Sequence, residues 1–589
     1  MKKIKVWIFT FEYSGIIKVG GLGEVPANQA KYLSNEFEIT VFMPSHGQIS
    51  DLKEDYSFTK LPISCIGKIN PSDIGIKESE NTYEISFYKT VIDNVNIILL
   101  SGGNSFTSKY IDDSTVYNPD TLNGKICLFS LGARFYIDYL INSQKEDLPN
   151  IIHLHDYHAV IPYIAIKQLL NKNALDIYSL ITIHLLTWPR YNIDFYYACG
   201  IDNTPIKISL SDGYKFLNLN EIFSLSIGQP PTVEKVGAIV CDKVTTVSQS
   251  YLISDIIPNC GKKLIEFKSD FVYDGCDWDY DEISEQISIN CGKEIRKILN
   301  IPDAEEYTIS DMKKFLLTYK IANLDERPII RSKKVLNIIR ELSDDEQFMK
   351  NGSVSAFEDT GPLVITTGRM SQQKGFETFF EAIPDIIKVI PNVKFLFFML
   401  PTDYSLNEIK LYSQIVKRYP ENLRIIFGVA NDIYYLAHLS ADVYCALSRW
   451  EPFGINALEA MSSKLPIVAT RVGGFQETVI DIRNFWEIGT GILIEKDNSS
   501  QFSEALISLL FLEQISKKVK IKESIYEEEM LKMANQIPDE ILKALVLLDP
   551  DYYHKIKENC YKRVQNNFRW SIVSKKLGDL YRQIYKIHS

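Results

Sequence analysis

The chain has 589 residues, 46% of them hydrophobic and 24% charged, and a formal net charge of −11. That length calls for two large globular domains, and the acidic balance argues against nucleic acid or an anionic membrane as the main partner, since both reward a basic face. Nine cysteines without a CxxC pair or a Cys/His cluster fit reduced thiols in a cytoplasmic protein better than a disulfide scaffold or a zinc site.

The first segment, KVWIFTF, reads as a buried strand. Glu12 interrupts the apolar run that a signal peptide needs, and no run reaches the ~18 residues of a membrane span. KVGGLGEV then opens a helix. Its Gly20, Gly21 and Gly23 would let backbone N–H groups approach a diphosphate, with Lys18 adding a point charge; a plain strand-to-helix connection is the alternative. ITVFMP, VNIILLS, NIIHLHD, SLITIH and KVTTVS alternate with amphipathic helices, which predicts a parallel sheet covered on both faces. HLHDYHAV places His153, His155, Asp156 and His158 at the end of one strand, and His184 ends the next. Strand neighbours point to opposite faces and no cysteine or acidic ligand completes a tetrahedron, which disfavours zinc. Asp156 and His184 are the better candidates for polar contacts to a sugar.

A charged stretch follows, roughly 281–360, with helical KVLNIIREL and the polar loop NGSVSAFEDTG. Then PLVITTGR, VKFLFFML, LRIIFG, VYCALS, LPIVATR and GILIE repeat the strand rhythm and predict a second Rossmann-like domain. After its first strand, GRMSQQKG presents Arg369 and Lys374 beside a turn, a fixed-cation clamp suited to a leaving diphosphate. After VYCALS, Glu451 stands at a strand-to-helix turn, and the amides around Phe453, Gly454, Ile455 and Asn456 are donors for hydroxyls or a diphosphate. Glu459 lies about two helical turns on at ~3.6 residues per turn, which would aim two carboxylates at one crevice. The alternative is a pair of glutamates that only favour the helix macrodipole. A charged insertion at about 512–553 reads either as a packing or oligomer element or as a solvated helical pair. The closing segment predicts an amphipathic helix burying Trp570, Ile572, Val573, Leu577, Leu580, Tyr581 and Ile584.

Together KVGGLGEV, HLHDYHAV, TIH, KVTTVSQSY, YDGCDW, GRMSQQKG, SRWEPFGINALEAM, GGFQETV and WSIVSKKLGDLYRQIY resemble the glycogen/starch synthases of glycosyltransferase family 5, archaeal members most. The resemblance implies the α/β GT-B fold, two Rossmann-like domains facing across a cleft with the C-terminal helix crossing back to the first. The implied division is 1–285 for the acceptor-side domain, 286–358 for a charged inter-domain region, 359–565 for the nucleotide-sugar domain and 566–589 for the returning helix. It also implies retaining transfer of glucose from ADP-glucose or UDP-glucose to the non-reducing end of an α-1,4-glucan, with no cofactor and no required metal.

Carried over, Arg369 and Lys374 would bind the donor diphosphate and Glu451 the glucose hydroxyls. His184 would contact the donor glucose and Asp156 would sit on the acceptor side. Lys18, Gly20 and Gly21 would close on the donor, Phe453 and Gly454 would contribute amides, and Glu459 would reach the ribose. The chain departs from the family pattern at Leu185 to Trp188 after TIH, at Val429 after Gly428, at MLPTDY (399–404) and at Asp274. The second and third of these sit where the nucleoside is expected, so the donor base stays open. Two other readings stand beside the synthase: a disaccharide-forming retaining GT-B enzyme, and a non-catalytic glucan-binding scaffold. Homo-oligomer formation is open as well.

Overall fold

The computed structural model describes residues 3–226, 228–330, 332–342, 354–520 and 527–586. The chain folds as two units, Met1–Gly275 with Trp570–Ser589, and Cys276–Arg569. The stretch 286–358, expected between domains, therefore falls inside the second unit, although residues 331 and 343–353 lie outside the described residues. Its helices are amphipathic rather than linker-like. Asp279 caps the helix Tyr280–Leu299, whose Ile283, Ile287, Cys291 and Ile295 are buried, and buried Lys313 pairs with buried Asp442.

The strands of the first unit are β1 (Lys5–Phe9), β2 (Glu38–Pro44), β3 (Thr59–Lys68), β4 (Thr82–Ile92), β5 (Val95–Gly102), β6 (Ile151–His155), β7 (Tyr178–Ile183), β8 (Ile206–Leu210), β9 (Gly213–Leu217), β10 (Lys243–Thr246) and β11 (Ser269–Phe271). Among the described residues, nine of them form one sheet in the order β11-β10-β7-β6-β1-β2-β5-β4-β3, and β8 and β9 pair as a separate hairpin. β1 runs parallel between β2 and β6, Val6 facing Ile39 and Ile151, and all five of its residues are buried, as an unbroken apolar run requires of a sheet covered on both faces. The strand order turns around at β1, so the carboxyl ends of β1 and β6 flank a topological switch point, where open α/β sheets hold ligands. The antiparallel extension β3–β4 lies outside the expected all-parallel pattern. β3 is an edge strand with Ile66 exposed, so it lacks the continuous apolar run that marks the inner strands.

The C-terminal helix Trp570–Lys586 belongs to this unit and packs on the helix Gly21–Leu33. Its expected apolar side is buried except at Ile572, which is 37% exposed because it lies off the stripe formed by Val573, Leu577, Leu580, Tyr581 and Ile584. Tyr581 meets Phe37 edge-on at 5.4 Å, and its hydroxyl lies 2.7 Å from Nδ1 of fully buried His153. Tyr581→Phe strips that nitrogen of its partner and is expected to cost about 1–3 kcal/mol, read as a lowered urea midpoint.

The second unit carries β12 (Leu363–Arg369), β13 (Lys394–Leu400), β14 (Leu423–Phe427), β15 (Val443–Ala446), β16 (Ile467–Thr470) and β17 (Gly491–Ile494), all parallel, in the order β14-β13-β12-β15-β16-β17. The order turns around between β12 and β15. The loops after those two strands are GRMSQQKG and SRWEPFG, so the fold brings the two chemistry-bearing motifs to one switch point. The insertion expected from 512 begins later: Leu506, Leu509, Leu510, Leu512 and Ile515 are buried along one continuous helix, Ser499–Lys520. Residues 521–526 of that insertion lie outside the described residues, and Glu527–Ala534 and Glu540–Leu548 are further helices. Among the described residues no helix is long and apolar enough to cross a membrane. All nine cysteines are unbridged and buried.

Candidate active site

In the second unit, the helix Ile455–Ser462 starts at Gly454, whose φ of +96° suits glycine and whose added Cβ would stand 2.3 Å from the Phe475 ring. At the end of the other loop, Gly375 (φ +61°) leaves room for the Leu447 carbonyl, 2.1 Å from where a Cβ would be. The second of these approaches draws the two loops together. Lys374 Nζ lies 2.6 Å from Glu451 Oε2, which also accepts from Ser448 Oγ at 3.0 Å. The pair is largely enclosed, with side-chain exposures of 19% and 9%. It lines a small hollow together with Thr366, Thr367, Tyr444, Gly454 and Asn456.

Asn456 donates to Thr367 Oγ1 at 2.8 Å, and Thr367 pairs with Tyr444 OH at 2.8 Å, so side chains tie the start of the helix to β12 and β15. Ile455 is half-buried, and Phe453 is buried with its ring edge-on to Phe568 at 5.8 Å. Arg369 is exposed at the end of β12, without a carboxylate paired to it among the described residues. Arg449, which the motif reading left unassigned, joins the two loops: it bonds Asp497 at 2.7 Å, and its amide donates to the Gln373 carbonyl at 2.7 Å. The Glu459 carboxylate accepts from Tyr434 OH at 3.2 Å. Glu451 lies four residues before the helix Ile455–Ser462 begins, so helical periodicity does not relate its direction to that of Glu459.

Both departures near the expected nucleoside position carry contacts from one upstream segment. Val429 and Ile329 exchange backbone hydrogen bonds of 3.0 and 2.9 Å, and Ser332 Oγ donates to Asp403 within MLPTDY.

In the first unit, the glycine turn differs from the expectation. Gly20 has an extended φ of −155° and its added Cβ would meet nothing within 4 Å, so backbone strain does not select it. Its amide already donates to Glu12 Oε2 at 3.1 Å, beside that of Val19 at 2.6 Å, because Glu12 projects from the end of β1 into the turn. Gly20's N–H is thus committed within the chain, whereas Gly21 opens the helix. Lys18 is held by Glu24 at 2.6 Å.

At the end of β6, Asp156 takes a φ of +60° and accepts the His184 amide at 2.7 Å, while His184 Nε2 lies 2.9 Å from His155 Nδ1. Burial pushes the Asp156 carboxyl up to about 8, with the charges of Glu234 and Glu12 adding to it against the His184 amide. Burial holds His184 down at about 3, so the His155–His184 contact joins two neutral rings. No group of metal-ligating side chains occurs among the described residues. The unexpected loop Leu185 to Trp188 is fastened by buried Glu234, which accepts the amides of Thr187 (2.9 Å) and Trp188 (3.0 Å).

Because the folded Asp156 keeps its proton from pH 3.8 up to about 8 and the unfolded chain does not, its contribution to stability is full below that window and is lost as pH rises through it. Asp156→Asn, which keeps the acceptor for His184, is expected to flatten the fall in urea midpoint between pH 5 and 8; an unchanged pH slope would contradict the shifted carboxyl.

Residues 5–262 match the family model described as starch synthase catalytic domain, and residues 349–527 that of glycosyl transferases group 1. The glycogen synthase of Acholeplasma laidlawii (strain PG-8A) is 24% identical over 471 residues, covering 78% of this chain and 84% of the relative. The glycogen synthase of Chlamydia pneumoniae is 23% identical over 475 residues, covering 80% and 85%. Among solved structures, the catalytic domain of starch synthase IV from Arabidopsis thaliana, bound to ADP and acarbose, aligns with a TM-score of 0.63 at 16% identity over 99% of this chain and 100% of that one. At that identity the likeness is one of fold.

Proposed function

We propose, for a chain that belongs to the glycogen/starch synthase family, retaining transfer of glucose from a nucleoside-diphosphate glucose to the non-reducing end of an α-1,4-glucan. The observation that carries the reading is the enclosed Lys374–Glu451 pair at the switch point of the second sheet, beside the amino-terminal amides of a helix.

In this reading the Lys374 ammonium and the exposed Arg369 guanidinium take the charge that builds on the diphosphate as the glycosidic bond breaks. Glu451 holds glucose hydroxyls, and its contacts with Lys374 and Ser448 fix its orientation before the sugar arrives. The amides of Gly454, Ile455 and Asn456 face the diphosphate, with Phe453 packed beneath them, and Glu459 serves the ribose. From the first unit, Lys18 and Gly21 act on the donor. Neutral His184 serves the donor glucose, and Asp156, protonated near neutrality, serves the acceptor side as a hydroxyl donor rather than as a base. Retention then proceeds by front-face displacement, in which a leaving phosphate oxygen takes the proton of the attacking 4-hydroxyl.

The donor is ADP-glucose or UDP-glucose; the contacts from Ile329 and Ser332 at the expected nucleoside position supply a reason for the chain's departures there without choosing the base. A ladder of maltooligosaccharides lengthened by single glucoses, formed in the presence of EDTA, is the expected product. A disaccharide as sole product would reject the glucan synthase in favour of a disaccharide-forming enzyme, and glucan binding without transfer would favour the scaffold.

A further inference from the structure

The glycine turn Lys18–Gly23 is held by a carboxylate that no motif marks. Glu12, 2% exposed, accepts the Val19 amide at 2.6 Å and the Gly20 amide at 3.1 Å through Oε2, and the Tyr117 hydroxyl at 2.5 Å through Oε1. Its own backbone is fixed, since its amide donates to Thr10 Oγ1 at 3.2 Å and its carbonyl accepts from the same hydroxyl at 2.8 Å. Tyr117 is fixed in turn. Fully buried Lys125 donates to the carbonyls of Asp113 (2.9 Å), Thr115 (3.2 Å) and Val116 (3.3 Å), tying down the loop that ends at Tyr117. The Tyr117 ring packs against His158 at 5.0 Å, and His158 stacks on Phe11 at 4.7 Å. Burial and the Glu12 charge raise the Tyr117 hydroxyl well above its ordinary range, so it stays a donor.

A buried carboxylate carrying three donors costs its desolvation unless those donors are charge-assisted and well placed, as these are. The two amides it takes are the last before the helix Gly21–Leu33 begins. The amides of Gly21 and Leu22 come next and, as first-turn groups, have no carbonyl within the helix to bond. The Glu12 contact therefore sets the direction in which those first-turn amides point.

We propose that Glu12, fixed through Tyr117 and the Lys125-anchored loop, is a positioning residue that sets the glycine turn in the geometry that receives the donor diphosphate. The inference rests on the reading that this turn acts on the donor. Glu12 touches no reacting atom in this scheme, so its loss acts on donor binding rather than on the acceptor.

The test is steady-state kinetics of wild type, Glu12→Ala, Glu12→Gln and Tyr117→Phe with donor and acceptor varied in turn, together with binding of ADP and UDP to each protein by calorimetry. Glu12→Ala is expected to raise the donor KM and the nucleoside-diphosphate Kd roughly 10- to 100-fold, with the acceptor KM within about twofold of wild type. Glu12→Gln, whose carbonyl can accept both amides while its amide donates to the Tyr117 oxygen, is expected to stay within about threefold of wild type. Tyr117→Phe, which preserves the ring packing, is expected to raise the donor KM about threefold and keeps the test available should the alanine variant not fold. An unchanged donor KM and Kd in Glu12→Ala, or in Tyr117→Phe where alanine does not fold, overturns the positioning role, as does a glutamine variant no better than alanine. A wild type that neither transfers glucose nor binds either nucleotide overturns this inference together with the functional reading beneath it, so the two failures are told apart by the wild-type arm.

Discussion

Glu451→Ala is expected to lower kcat for glucosyl transfer by about two to three orders of magnitude, the scale on which an enclosed electrostatic contact to the reacting group acts. Two losses combine. The sugar loses a carboxylate whose side chain is only 9% exposed, and the Lys374 ammonium loses the partner that holds it 2.6 Å away. Glu451→Gln separates them: it keeps an acceptor for Ser448 and for a glucose hydroxyl but leaves Lys374 without a countercharge, so its rate is expected to fall between alanine and wild type. Rapid-quench or steady-state rates at saturating donor and acceptor check the order. Wild-type turnover in the alanine variant would remove Glu451 from the chemistry.

Lys374→Ala is expected to cost about two orders of magnitude in kcat, or ~3 kcal/mol of transition-state stabilisation, with a smaller rise in donor KM, because the leaving diphosphate carries most of its new charge only as the bond breaks. A stability cost accompanies it. Glu451 would be left enclosed without its ammonium, which is expected to lower stability by about 1–3 kcal/mol. Urea midpoints measured beside the kinetics keep the two effects apart. A large rise in donor KM at unchanged kcat would show that Lys374 supplies ground-state binding only.

The residues of this pair lie 77 positions apart; the sequence places both at carboxyl ends of strands, but only the strand order in the structure brings them together. Each follows an apolar strand run directly, and the rule that ligands gather at the carboxyl ends of parallel strands places such loops side by side wherever the strand order turns around. Helical periodicity likewise exposed the C-terminal helix, missing only Ile572. The azimuth argument for Glu459 does not apply because Glu451 precedes the helix Ile455–Ser462, and Tyr434, which donates to Glu459, sits on another helix 25 residues upstream. Glu12 was visible only as a charge in the wrong place for a signal peptide. Its partner Tyr117 is 105 residues away, and no local pattern announces a long-range contact between a carboxylate and a phenol. The start of the insertion was misplaced because charge density at Lys517 and Lys518 masks the buried face of the helix Ser499–Lys520, where Leu512 and Ile515 continue the core. The antiparallel strands β3 and β4 were missed for the converse reason, since β3 at the sheet edge and the partly exposed β4 beside it carry no unbroken apolar run.

Incorporation of labelled glucose into glycogen by the purified full chain, with ADP-glucose and UDP-glucose offered separately and EDTA present, bears most directly on the assignment. The account predicts label in α-1,4-linked glucose at non-reducing ends from one donor or both, incorporated about two to three orders of magnitude more slowly by Glu451→Ala. No incorporation from either donor, with glycogen still bound, would contradict it.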